Sequence, residues 1–163
     1  MAIDINARVR ESFEQIWHQG NLDFIDQRCT PDFKLHDVLM GVMDREGFKQ
    51  HVRTMRTAFP DLHFRIDEVL ISGDTAAVRW TAKGTNRGEL MGTPPTNRSG
   101  SVEGMQFIRL SGEKERELWV NWDVFGMLRN LGLAQGLGTR APAAGAQPSA
   151  EPPRPGTETS RRH

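Results

Sequence analysis

The feature that most constrains this chain is a run of alternating stretches between Leu62 and Trp122, with no long helical period among them. "LHFRIDEVLI" sets Leu62, Phe64 and Ile66 against His63, Arg65 and Asp67. After the turn "SGD", the stretch "TAAVRWTAKGTN" sets Val78, Trp80 and Ala82 against Arg79, Thr81 and Lys83. A period of two sends successive side chains to opposite faces of a strand. The Gly- and Pro-punctuated loop "RGELMGTPPTNRSG" leads to "SVEGMQFIRL", and a polar turn around "SGEKE" leads to "RELWVNWDV". Long consecutive strands joined by short turns predict an antiparallel sheet.

Long helical spacing is confined to the first part of the chain. Val9, Phe13, Ile16 and Trp17 share one face of a helix predicted over Asp4 to Gln19, with Gly20 as its stop. A short second helix, opened by Asn21, ends before Pro31. "DFKLHDVL" alternates Phe33, Leu35, Asp37 and Leu39 against Lys34, His36 and Val38, a strand whose buried face the pattern leaves open. Asp44 caps a third helix with the stripe Phe48, Val52, Met55 and Phe59, and Pro60 closes it. Helices first and strands after predict an α+β fold with the helices on one face of the sheet. A curved sheet closed by about three helices makes a cone, and a pocket in it is concave and mostly apolar. Four tryptophans and no tyrosine suit an apolar box.

Composition shifts sharply after Leu133. The segment from Ala134 to His163 is rich in Pro, Gly, Ala and Ser and has almost no large apolar residue. Such a segment buries too little surface to offset its ordering entropy, so residues 134–163 are expected to be a disordered tail and residues 1–133 one domain. Lys+Arg 21 against Asp+Glu 21 gives a net charge of +0, with no global field toward nucleic acid or anionic lipid. The lone Cys29 permits no internal disulfide and reads as a buried small residue. "MAIDINARVR" lacks an apolar leader core, and no run approaches the ~18 apolar residues of a membrane span. The expectation is a cytoplasmic protein with neither a nucleic-acid nor a membrane partner.

The chemistry concentrates in "ELWVNWDVFGMLRNLG", where Asp123 stands between an aromatic strand and an apolar helix. Alternation puts Glu117, Trp119, Asn121 and Asp123 on one face and Leu118, Val120 and Trp122 on the other, without declaring which looks inward. Asp123 is therefore either a helix N-cap or, if it faces the pocket beside Trp119, a carboxylate raised by desolvation and able to carry protons. The two roles are compatible. His51 lies one position off the apolar stripe of the third helix and is a candidate for the pocket mouth. No histidine, cysteine or carboxylate group has metal-ligand spacing, and no phosphate-binding glycine loop or G-x-S-x-G elbow is present, so neither metal nor cofactor is expected.

Three blocks, "GNLDFIDQRCTPDFKLHD", "FPDLHFRIDEVLISGDTAAVRWTAKGTNRGELMGTPPTNR" and "WDVFGMLRNLG", resemble the SnoaL-like polyketide cyclases of the nuclear transport factor 2-like superfamily. The likeness runs in order from about Phe13 to Leu133. It implies a cone-shaped α+β barrel, often a homodimer, and chemistry without cofactor or metal. It also implies that Asp123, before a "G-x-L-x-x-L-G" helix, acts as acid and base in the intramolecular aldol closure of an aromatic polyketide ester. On that reading Phe13, Trp17, Trp80 and Trp119 form the aromatic pocket, and Asn121 donates to the developing oxyanion. His51, Asn86 and Gln106 are further substrate-binding candidates, Asn86 standing where relatives often carry histidine. The ligand expected is a hydrophobic polycyclic molecule. Two alternatives remain beside the cyclase: a cofactor-independent hydroxylase of such a substrate, and a non-catalytic small-ligand binding module.

Overall fold

The computed structural model describes residues 4–134. Elements follow in the order α1 (Ile5–Ser12), a π-helical segment (Phe13–His18), α2 (Asp23–Arg28), β1 (Cys29–Asp37), β2 (Gly41–Met43) and α3 (Arg45–Ala58). Then come β3 (His63–Ser72), β4 (Thr75–Thr85), β5 (Ser99–Ser111), β6 (Lys114–Trp122) and α4 (Val124–Asn130). The six strands form one sheet in the order β2-β1-β6-β5-β4-β3. The fold is thus α+β, with the helices gathered against one face of a single sheet.

One expectation about the sheet is corrected. Every ladder is antiparallel except β1 with β6, which is parallel, so the sheet is mixed. The cause is topological. β1 enters the sheet directly after the helices, and β6 returns beside it from the far end of the β3–β6 meander; no hairpin links them to impose opposite directions.

The first helix also departs from the single regular element expected. Asp4 caps it by accepting from the Ala7 N–H at 3.0 Å. After Ser12 the backbone widens to i→i+5 bonding, with Gln19 N–H donating to Glu14 O at 2.9 Å. The extra residue per turn keeps Phe13 and Ile16 buried while turning Trp17 toward α3 and β3. Gly20, at φ 70°, ends the segment as its sequence position implied. The third helix begins at its Asp44 cap, which accepts from Gly47 N–H at 2.8 Å, and buries Phe48 and Val52.

These helices close over the inner face of the sheet. Phe13, Ile16, Ile25, Phe33, Phe48, Val52, Val78 and Trp80 belong to one core cluster. Phe64 sits edge-on to both Phe13 and Trp80, at 5.5 Å and 5.0 Å between ring centres. A second cluster, Ala58, Phe59, Leu90, Met127 and Leu131, fastens α4 and the loop after β4 across one end of the barrel. Cys29 is buried at the start of β1, and burial pushes its thiol pKa well up. The expected tail lies outside the described residues except for Ala134.

Candidate functional site

Register across the sheet decides which side chains face the helices. On β6, Leu118, Val120 and Trp122 look inward, opposite Ile108, Gln106 and Gly104 of β5. Successive inner rows can be followed from β4 to β1. Ala76, Ile108, Leu118 and Leu35 form an apolar row; Val78, Gln106, Val120 and Asp37 form the next. Beyond them Trp80, Gly104 and Trp122 form an aromatic row. The rows and the helices enclose a cavity of about 120 Å³. At 10–15 Å³ per water-sized occupant that is room for roughly ten non-hydrogen atoms.

The cavity wall is apolar with a few polar groups set into it. Asp37, buried in the second row, accepts from Trp122 Nε1–H at 3.1 Å through Oδ2. Its Oδ1 accepts from the Leu39 and Met40 N–H groups, each at 2.8 Å. Three donors therefore fix this carboxylate. His51 lines the same cavity from α3, edge-on to Trp17 at 6.0 Å. Burial lowers its pKa below the ordinary imidazole value, and the charge of Asp37 opposes that shift without cancelling it. Gln106, 9% exposed, lines the wall, and among the described residues its amide makes no hydrogen bond. Ser12 and Glu115 add polar groups at the end nearest α1 and α2.

Five residues singled out in the sequence meet here: Phe13, Trp17, His51, Trp80 and Gln106. Four others do not. Trp119 is on the outer face of β6, stacked on His36 at 5.1 Å and with the Arg109 guanidinium over its ring at 5.0 Å. Asn121 and Asp123 are exposed on the same outer side, beside Arg79, Glu103 and Met105. Asp123 caps α4, accepting from Gly126 N–H at 2.7 Å. The expectation that it faces the pocket beside Trp119 is corrected: strand register gives the inner face of β6 to Leu118, Val120 and Trp122. Asn86 is also corrected. It is 1% exposed and fully engaged, donating to Gly88 O and Ala58 O and accepting from Thr96 N–H and Oγ1–H. Its amide braces the loop after β4 instead of meeting a ligand.

Sequence reasoning missed Asp37, Trp122, Ser12 and Glu115. For Asp37 a signal existed, since it alternates in phase with Phe33 and Leu35, and an acid in the apolar half of a strand is a candidate by itself. Among the described residues no group of three histidine, cysteine or acidic side chains has the geometry to hold a metal ion.

Helices packed on one face of a mixed sheet are also the fold of solved structures similar to this chain. The family model described as SnoaL-like polyketide cyclase matches residues 7–131. The chain belongs to the SnoaL-like polyketide cyclase family. Its nuclear transport factor 2-like fold is shared with solved structures. IdmH of Streptomyces antibioticus, "a putative polyketide cyclase", is 25% identical with a TM-score of 0.68, over 77% of this chain and 97% of that one. A "putative polyketide cyclase" of Acidithiobacillus ferrooxidans is 26% identical with a TM-score of 0.69, over 82% and 99%. AclR of Streptomyces galilaeus, "a putative hydroxylase", matches in fold with a TM-score of 0.70 at 22% identity, over 80% and 98%. No curated protein matches the chain. Among the described residues of this SnoaL-like chain, no helix is long and apolar enough to cross a membrane.

Proposed function

We propose that the barrel binds one end of a hydrophobic polycyclic polyketide and closes a ring in it by cofactor-free intramolecular aldol chemistry, with His51 as the proton carrier. The observation supporting this is an apolar cavity whose wall holds an imidazole kept neutral by its burial, in the presence of the tethered Asp37 carboxylate. A neutral imidazole is the base form. It takes a proton from a carbon flanked by carbonyls, leaving a delocalised enolate. The enolate carbon attacks a second carbonyl, a carbon–carbon bond forms, and the resulting alkoxide takes the proton back from the imidazolium. Asp37 stabilises that imidazolium while it exists, and the free amide of Gln106 donates to the enolate oxygen. The cavity holds roughly ten non-hydrogen atoms, so the reacting rings enter and the rest of a larger substrate stays at the opening.

The family resemblance assigns the proton transfer to Asp123 instead, and one experiment separates the two. An aromatic polyketide ester with a free β-keto side chain serves as substrate. His51→Gln should lower kcat by about 100-fold or more, while Asp123→Asn stays within a few-fold of the parent. The reverse pattern would transfer the role to Asp123. Oxygen uptake matching product would favour a hydroxylase, and saturable binding with no product would favour a binding module.

The protein acts as a homodimer in this reading. Met105 and Phe107, 63% and 56% exposed on the outer face of a central strand, offer the apolar contact such pairing needs.

A further inference from the structure

Strand β6 should present Glu115, Glu117, Trp119 and Asn121 on one face, because they are two residues apart. Glu115 does not follow. It is 4% exposed, on the inner side with Leu118, whereas Arg116 and Glu117 both look outward. The ladders on both sides show why. Between β5 and β6 the pairing passes from Arg109↔Glu117 to Leu110↔Glu115, and between β1 and β6 from Lys34↔Glu117 to Cys29↔Glu115. Arg116 is the extra residue of a bulge, a device that re-aims side chains. Here it turns a glutamate into the barrel.

The surroundings of that carboxylate are half complete. Oε1 accepts from Ser12 Oγ–H at 3.0 Å and lies 3.5 Å from Arg28 Nε, which itself donates to Ser12 Oγ at 3.2 Å. Among the described residues Oε2 takes no hydrogen bond. Burial raises the carboxyl's pKa, which Arg28 and Ser12 oppose. A carboxylate oxygen without a protein donor, on a residue only 4% exposed, is poorly hydrated, and where it borders a cavity the missing donor can come from a ligand. Next to it the wall is the apolar row Ile108, Leu118 and Leu35, so an aromatic ring against that row brings a substituent to Oε2.

We infer that Glu115 is a ligand-anchoring residue: its Oε2 accepts a hydrogen bond from a hydroxyl at the leading end of an aromatic ligand, and so selects hydroxylated rings. This rests on the reading that the cavity takes an apolar ring system. The anchor lies at the end of the cavity nearest α1 and α2, apart from the row that holds Asp37, so it sets which end of the substrate enters first.

The test compares 2-naphthol with 2-methylnaphthalene, two probes of 11 non-hydrogen atoms each, roughly the number the cavity accommodates. Affinities are read by quenching of tryptophan fluorescence. The parent should prefer the naphthol by roughly tenfold to a hundredfold, the range for a hydrogen bond to a charged group. Glu115→Gln, which puts an amide where the acceptor was, should lose that preference and keep its affinity for the hydrocarbon. Should Arg28 left without its partner unfold that variant, Arg28→Met with Glu115→Leu removes both charges together and should behave likewise. A purely structural ion pair would change the melting temperature and leave the preference intact, which would overturn the proposal. Equal binding of both probes by the parent would overturn it as well and leave the apolar-cavity reading standing. Failure of the parent to bind either probe would overturn both.

Discussion

Gly104 faces the indole of Trp80 across the β4–β5 ladder, and a Cβ there would come within 2.3 Å of the ring. Only glycine lets the indole lie across the strand and serve as cavity wall. Gly104→Ala should push the ring from its place at a cost of about 1–3 kcal/mol, seen as a lowered melting temperature with a shift in tryptophan emission. His51 makes the second prediction at this scale. Its folded pKa is below the unfolded value of 6.5 because burial disfavours the imidazolium. The unfolded chain therefore takes up that proton first, and stability is full above pH 6.5 and lost as pH falls toward the folded value. Urea midpoints measured from pH 7 down to pH 5 should decline less steeply in His51→Gln than in the parent.

Helix α4 is only seven residues long and depends on its ends and on packing. Asp123 supplies the N-terminal end, and Met127 and Leu131 the packing against Phe59 and Leu90. Asp123→Ala should cost about 1 kcal/mol, whereas Asp123→Asn, which keeps an acceptor, should be close to neutral. Thermal unfolding of the two variants side by side measures this and accompanies the turnover comparison. A loss of activity in Asp123→Asn without a loss of stability would point to chemistry. The π-helical segment is the other element with a consequence. Its widened turn presents Trp17 to Phe48, His51 and Phe64, and a regular α-helix through the same residues would rotate that ring away from the cavity.

Across the whole molecule the sheet has two faces with different tasks. The inner face is cavity and core. The outer face carries Arg79, Met105, Asn121 and Asp123 near one end and the stacked His36, Trp119 and Arg109 further along. A dimer joined through this face buries Met105 and Phe107. Met105→Lys with Phe107→Lys should then shift the sedimentation coefficient from dimer to monomer at micromolar concentration while the far-ultraviolet circular dichroism is unchanged. An unchanged sedimentation coefficient would place the subunit contact elsewhere or leave the chain a monomer.

The sequence by itself determined most of the elements and their chemistry-bearing candidates. Alternation from Phe64 to Trp122, the helical stripe Phe48–Val52 and the Asp44 cap are local periodicities and a local hydrogen bond, and they were legible for that reason. Five pocket residues were legible too, each sitting on the apolar side of its own element or beside it. Tertiary structure decided the rest. In "ELWVNWDV" the face of Leu118, Val120 and Trp122 is wholly apolar and so pointed inward, but Trp119 on the opposite face masked that signal; the neighbouring strands and the helices above settle it. That choice put Trp119, Asn121 and Asp123 outside and brought Trp122 onto Asp37. The parallel β1–β6 pairing joins residues some 80 positions apart, and the bulge at Arg116 inverts Glu115 against its own alternation. Neither follows from a local pattern, since both depend on how distant strands meet.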